Sequence, residues 1–135
     1  MIDHLRAMQS LIEARFTCHL VGAPDDASYP YVIVGVGYER DGERPASDRL
    51  DSLDADVRVN CVGTSAASAL GLLRDVRQIL SPDKRRTPLA VPGRRASLKF
   101  LRHEMTEVDR DVAVTATGTF PVFAIDSFHL LSVPA

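Results

Sequence analysis

Apolar positions recur along this chain with two different periods, and each change of period marks an element. Leu5, Met8, Ile12 and Phe16 fall at helical spacing with Arg6, Gln9, Ser10 and Glu13 on the other side, so a first amphipathic helix is expected. Asp3 stands where it can cap the first free N–H groups. A short β-prone segment from Phe16 to Val21 follows, then a turn at Gly22-Ala23-Pro24-Asp25-Asp26. Pro30 favours an extended approach to Tyr31-Val32-Ile33-Val34-Gly35-Val36-Gly37. Both faces of that run are apolar, so cover is expected on both, from a helix on one and from another sheet or subunit on the other. Gly35 and Gly37 permit a bulge or a close backbone approach.

From Tyr38 to Ser52 the pattern dissolves into five acids, three arginines, Gly42 and Pro45, which reads as a long charged loop of the kind used for binding. The clearest alternation comes next. Leu53, Ala55, Val57, Val59 and Cys61 point one way, while Asp54, Asp56, Arg58 and Asn60 point the other, predicting a strand with one core face and one wet or interfacial face. After Gly63, Thr64 or Ser65 caps a helix whose Ala69, Leu73, Val76 and Leu80 form a stripe, widened by Leu70, Leu72 and Ile79 and closed by Ser81-Pro82. Gly71 within it costs about 1 kcal/mol relative to alanine, which suggests close packing of the helix on the sheet.

Ser97 to Met105 and Asp111 to Ile125 read as two antiparallel strands joined by a turn at Thr106-Glu107-Val108-Asp109-Arg110. In the second, apolar residues from Val112 to Val122 alternate with Ala113, Thr115, Thr117 and Thr119. The tail from Phe128 to Ala135 is too apolar to stand in water and should pack on the domain or on a neighbour. The resulting order, α-β-β-β-α-β-β, predicts an α+β fold with a mostly antiparallel sheet and two helices packed on one face.

Composition adds three points. At 135 residues and 45% hydrophobic, the chain suits one domain with a real core. The opening residues lack the basic-then-apolar design of a signal peptide, and no run of about 18 apolar residues occurs, so a soluble intracellular protein without membrane contact is expected. Cys18 and Cys61 lie in apolar strand-like surroundings outside any metal-spaced array and read as reduced core residues. Charge is unevenly spread. Between Ser81 and Arg102 seven basic residues stand against the single acid Asp83, whereas the remainder holds nine basic against seventeen acidic residues. Such polarity suits ordered stacking against a partner or a charged polymer, and equally a solvated basic loop.

Catalytic and cofactor patterns do not assemble. His4, His19, His103 and His129 are scattered with no metal-ligand spacing, so neither a zinc site nor any other cofactor is expected. Cys18 and His19 are neighbours on a strand and face opposite sides, which excludes a direct thiolate pair. Gly35-Val36-Gly37 lacks the third glycine and the helix start of a dinucleotide fingerprint. Asp54 and Asp56 share a strand face, where they could act as an acid/base pair or hold a divalent cation. Arg58 on that face favours ordinary salt bridging. Lys84-Arg85-Arg86 and Arg94-Arg95 suit phosphate, although no aromatic residue is interleaved and the pI is near 6.0. Passive contact with DNA fits this segment; sequence reading does not.

The order of elements carries a resemblance. The first helix, the Tyr-Pro-Tyr-Val-Ile-Val strand at Tyr29 to Val34, the charged loop, the Asp-Val-Arg-Val strand at Asp56 to Val59, the helix from Ser65 to Leu80 and the Val-Ala-Val-Thr-Ala-Thr run at Val112 to Thr117 together resemble the tail terminator (tail completion) proteins of long-tailed bacteriophages. The resemblance covers most of the chain and implies a single non-enzymatic domain. It implies a homo-oligomeric ring, a hexamer by that resemblance, at the head-proximal end of the tail tube. There it stops tube polymerisation and offers a surface to a head-side connector or neck protein. A virion location follows, with the host cytoplasm as the site of assembly. The expected contact residues are Asp54, Asp56 and Arg58 at a subunit or tube interface, and Arg85, Arg86, Arg94 and Arg95 toward the DNA channel or an acidic partner. The alternatives are a head-tail connector or neck protein, and a small α+β enzyme or ligand-binding domain built around Asp54, Asp56 and His103.

Overall fold

The computed structural model describes residues 1–23, 27–39, 52–104, 109–110 and 122–135. Its elements are α1 (Ile2–Glu13), β1 (Cys18–Leu20), β2 (Tyr31–Glu39), β3 (Leu53–Gly63), α2 (Ala66–Leu80), β4 (Thr87–Leu89), β5 (Arg94–His103), β6 (Asp109–Arg110) and β7 (Val122–Pro134). The fold is α+β, and the expected order of the larger elements is present, with the short strands β4 and β6 added to it.

Seven strands form one sheet in the order β1-β2-β3-β7-β5-β4, with β6 beside the start of β7. All pairings are antiparallel except β1 with β2. The apolar tail is the centre of this sheet. Phe128 to Pro134 continue β7 between β3 and β5, so the tail packs within its own chain.

The periods found in the sequence decide which side of each element is buried. In α1, Leu5, Met8 and Ile12 are buried as expected, and His4 joins them. Met1 occupies the N-cap and Asp3 lies in the first turn, so the expected Asp3 cap is replaced by a carboxylate near the positive end of the helix dipole. In α2, Ser65 caps the start by accepting from the Ser68 N–H at 3.1 Å, and Ala69, Leu72, Leu73, Val76 and Leu80 are buried. Both stripes pack on one sheet face, α1 over β1 and β2, α2 over β3 and β7. They meet Val32, Val34, Val57, Val59, Cys61, Leu98, Ala124 and Phe128 in a single core. Among the described residues the opposite face carries no helix, and it is called the bare face below.

The close approach expected at Gly71 is found at Gly63 instead. A Cβ on Gly71 would meet nothing within 4 Å, so this residue does not seat α2 closely. A Cβ on Gly63 would fall 2.7 Å from Ser68 Oγ, and it is this glycine that lets β3 turn directly under α2.

The remaining differences concern connections. β2 runs on to Glu39, into the first residues of the expected loop, while residues 40–51 lie outside the described set. The turn at 106–108 and the alternating run at 111–121 also lie outside it. The basic connection at 81–97 is structured: a 3-10 turn at Pro82–Lys84, then β4, then the first residues of β5. Ser81, buried, ties it down by donating to the Arg85 carbonyl at 2.7 Å and accepting from the Phe100 N–H at 3.2 Å.

Candidate functional site

Strand register assigns each charged side chain to a face. Along β3, Asp54, Asp56, Arg58 and Asn60 share the bare face, as their alternation predicts. They do not form a paired carboxylate site. Asp54 is bound by His129 of β7, whose Nε2 lies 2.6 Å from Asp54 Oδ1. The other ring nitrogen, Nδ1, accepts from Arg86 at 2.8 Å, and Arg86 also donates to Ser97 Oγ at 3.1 Å. A guanidinium has no acceptor, so Nδ1 must carry the lone pair and Nε2–H must be the donor to Asp54. His129 thereby links Asp54 and Arg86 in a chain that crosses β3, β7 and β5. Asp56 is 6% exposed. Arg58 approaches neither aspartate as its ion-pair partner; Glu104 takes that place at 4.0 Å.

Arg102 shares Glu104 from the other side at 3.4 Å. Arg95, Ser97 and Lys99 face the bare side by simple alternation, and unbroken pleating would turn Arg102 toward the helices. A register shift between Phe100 and Arg102 inserts one residue and reverses this. Arg102 comes opposite Ser127 on the bare face, and His103 opposite Asp126 on the helix face. A second shift lies in β2 between Val36 and Tyr38. There a Cβ on Gly37 would stand 3.1 Å from Arg58 Cγ, so the missing side chain makes room for the stem of Arg58.

The basic residues of the 81–97 connection separate. Arg86 and Arg95 belong to the bare face, and Arg85 is exposed beside the 3-10 turn. Arg94 turns inward, its Nε donating to Ser132 Oγ at 2.8 Å and its Nη2 to the Ser132 carbonyl at 3.2 Å. It belongs to the fold rather than to a contact row.

His103 and the two aspartates of β3 lie on opposite faces, so the alternative site built from Asp54, Asp56 and His103 does not come together. His103 instead donates from Nδ1 to Asp126 Oδ1 at 2.9 Å. Asp126 is fully buried and takes two further bonds from Arg77 of α2, at 2.7 and 3.0 Å, while the same guanidinium lies 4.3 Å from the centre of the Phe100 ring. This cluster joins α2, β5 and β7. The two cysteines lie inside the core, and burial pushes the Cys18 thiol up to about 12 and raises that of Cys61 as well, which suits inert structural thiols.

The other half of the bare face, over β1 to β3, differs in character. Tyr31 and Ile33 of β2, with Phe123 and Ile125 of the adjoining β7, are half-buried there. Of the buried side-chain polar atoms without a hydrogen-bond partner among the described residues, His19 Nε2, Asn60 Oδ1 and Ser127 Oγ all belong to this face. A groove of about 510 Å³, lined in part by Asp3, Arg6, Leu11 and Pro92, lies by α1, and neither Asp–His pair lines it.

No protein-family model and no curated protein sequence matches the chain. Solved structures to which the chain is similar include two that cover nearly all of it. One is a chain in the virion of a native gene transfer agent particle, 17% identical, with a TM-score of 0.48 over 96% of this chain and 90% of that one. The other is 13% identical, with a TM-score of 0.51 over 100% of this chain and 99% of that one, which extends the likeness of fold across the full length. At these identities the likeness is one of fold. No described helix is long and apolar enough to cross a membrane.

Proposed function

We propose that the chain is a structural virion protein that acts as a phage-type tail terminator. It forms a ring, hexameric by the family resemblance, that caps the head-proximal end of the tail tube. The whole chain serves as that ring-forming domain. Its axial partners are tail-tube subunits on one side and a head-side connector or neck protein on the other.

One observation carries the proposal: among the described residues helices cover one face of the sheet only, and the other face presents half-buried apolar side chains, Tyr31 and Ile33 of β2 with Phe123 and Ile125 of β7. A ring also requires heterologous contacts, in which one patch meets a different one. The sheet offers unlike surfaces for this, ending at β1 beside the exposed Val21 on one edge and at β4 on the other. Asp54, Asp56 and Arg58 border the β1–β3 half of the bare face, consistent with an interface role.

Adding the purified chain to polymerising tail-tube subunits tests the reading. Electron micrographs should show tubes that stop growing and end in a ring. Tubes of unrestricted length with bare ends would refute it.

A further inference from the structure

We infer that the β5 half of the bare face is a binding surface for the phosphate backbone of duplex DNA, formed by Arg95, Lys99 and Arg102 along β5 with Arg58 and Arg86 beside them. This goes beyond the ring reading and does not depend on it.

The row is built by the fold. Arg95 to Lys99 follow strand alternation, and the register shift after Phe100 brings Arg102 onto the same side, giving a line of cations roughly 20 Å long. Gly37 clears the path of Arg58, and Glu104 holds Arg58 and Arg102 on either side of itself. Arg86 is aimed by Ser97 and His129. Among the described residues, no hydrogen bond or ion pair engages Arg95 or Lys99, and both are exposed.

Asp56 and Glu104 are withdrawn from the surface of this face, whereas Asp54 keeps 38% of its side chain exposed. Asp56 is 6% exposed, Asp54 accepts from His129, and the Glu104 side chain is 20% exposed between its two arginines, which are 54% and 58% exposed. Around Glu104 an approaching ligand therefore meets the guanidinium groups of Arg58 and Arg102 before the carboxylate. The helices, by contrast, carry Arg6 and Arg74 together with the acids Asp3, Glu13 and Asp75.

A linear array of mostly guanidinium groups matches the repeating charge of a nucleic-acid backbone better than the isolated carboxylates of an acidic protein, because the planar fork suits phosphate. No aromatic ring is interleaved in the row to stack an unpaired base, which favours duplex over single strand. Contacts of this kind carry no sequence information.

The test is fluorescence anisotropy of a short mixed-sequence duplex with the full chain, between about 50 and 200 mM salt. Wild type should bind with an affinity that falls steeply with salt. Arg95→Glu/Lys99→Glu should weaken binding at least about tenfold and lower the salt slope by roughly 2. Lys99→Gln, too mild to unfold the chain, should lower the slope by about 1. Arg6→Glu/Arg74→Glu on the helix side should stay within about twofold of wild type. Absence of binding at the low-salt end, or an equal loss from the helix-side variant, would overturn the inference. So would poly-glutamate binding as tightly as DNA, which would assign the row to an acidic protein. Sedimentation of the same samples separates the two readings, since a monomer that binds DNA through this row keeps the inference and loses the ring.

Discussion

Each face of the sheet carries an aspartate held by a histidine across neighbouring strands, Asp126 with His103 beneath α2 and Asp54 with His129 on the bare face. The bond lengths are similar, 2.9 and 2.6 Å, but the surroundings are not. Asp126 is wholly buried and takes two more bonds from Arg77, so its charge is stabilised by donors from α2 and β5 together. Asp54 keeps 38% of its side chain in solvent, and its histidine passes the chain on to Arg86. The same residue pair serves as an internal clasp on one face and as a brace for a surface cation on the other. Burial decides which, because removing a partner from a buried charge costs far more than removing one from an exposed pair.

Substitution of the two aspartates measures that difference directly. Asp126→Asn should produce the largest effect, a loss of about 3 kcal/mol in denaturant-derived stability, because Arg77 and His103 are left facing a neutral amide. A loss below about 1 kcal/mol would mean that the clasp contributes little and that the comparison fails. Asp54→Asn should cost no more than about 1 kcal/mol, and less at high salt. Equal losses from the two substitutions would remove the distinction between the faces.

A smaller effect comes from His4, buried on the helix side with its Nε2 2.7 Å from Ser132 Oγ. Burial, followed by nearby positive charge that includes Arg94, lowers its pKa below the ordinary 6.5. The unfolded chain therefore takes up a proton at this residue at a higher pH than the folded chain does. The neutral ring's contribution is fully present above about pH 6.5 and declines as pH falls through that value toward the folded pKa. His4→Gln should flatten the decline in a pH series of unfolding midpoints, and an unchanged profile would place its origin elsewhere.

Legibility in the sequence followed the range of the interaction. The amphipathic helices and the Leu53–Val62 alternation are local, so their buried faces could be read from spacing alone. His4 was readable by the same rule, since it stands four and eight residues before Met8 and Ile12, but its polarity hid it. The central place of β7 was not legible, because strand order depends on pairing between distant segments. An apolar tail looks the same whether it docks outside or completes the sheet. The Asp54–His129–Arg86 chain was hidden for the same reason, as were the roles of Arg77 and Asp126. Arg102 and His103 exchanged faces through one inserted residue in β5, which alternation cannot predict. Gly71 looked purposeful in the sequence and Gly63 did not, and only the space beside each reversed that reading.

The comparison of faces leads to the claim that the β1–β3 half of the bare face is where subunits meet. Sedimentation velocity of the full chain beside its Ile33→Lys variant tests this most directly. Ile33 is half-buried on that face, opposite Asn60 and outside the helix-side core. The account predicts a ring-sized species for wild type. It predicts loss of that species in the variant, with circular dichroism unchanged and the unfolding free energy within about 1 kcal/mol of wild type, as for a substitution outside the core. A wild-type chain that remains monomeric at every concentration, alone and with tail-tube subunits, would contradict the account, as would a variant that assembles as well as wild type.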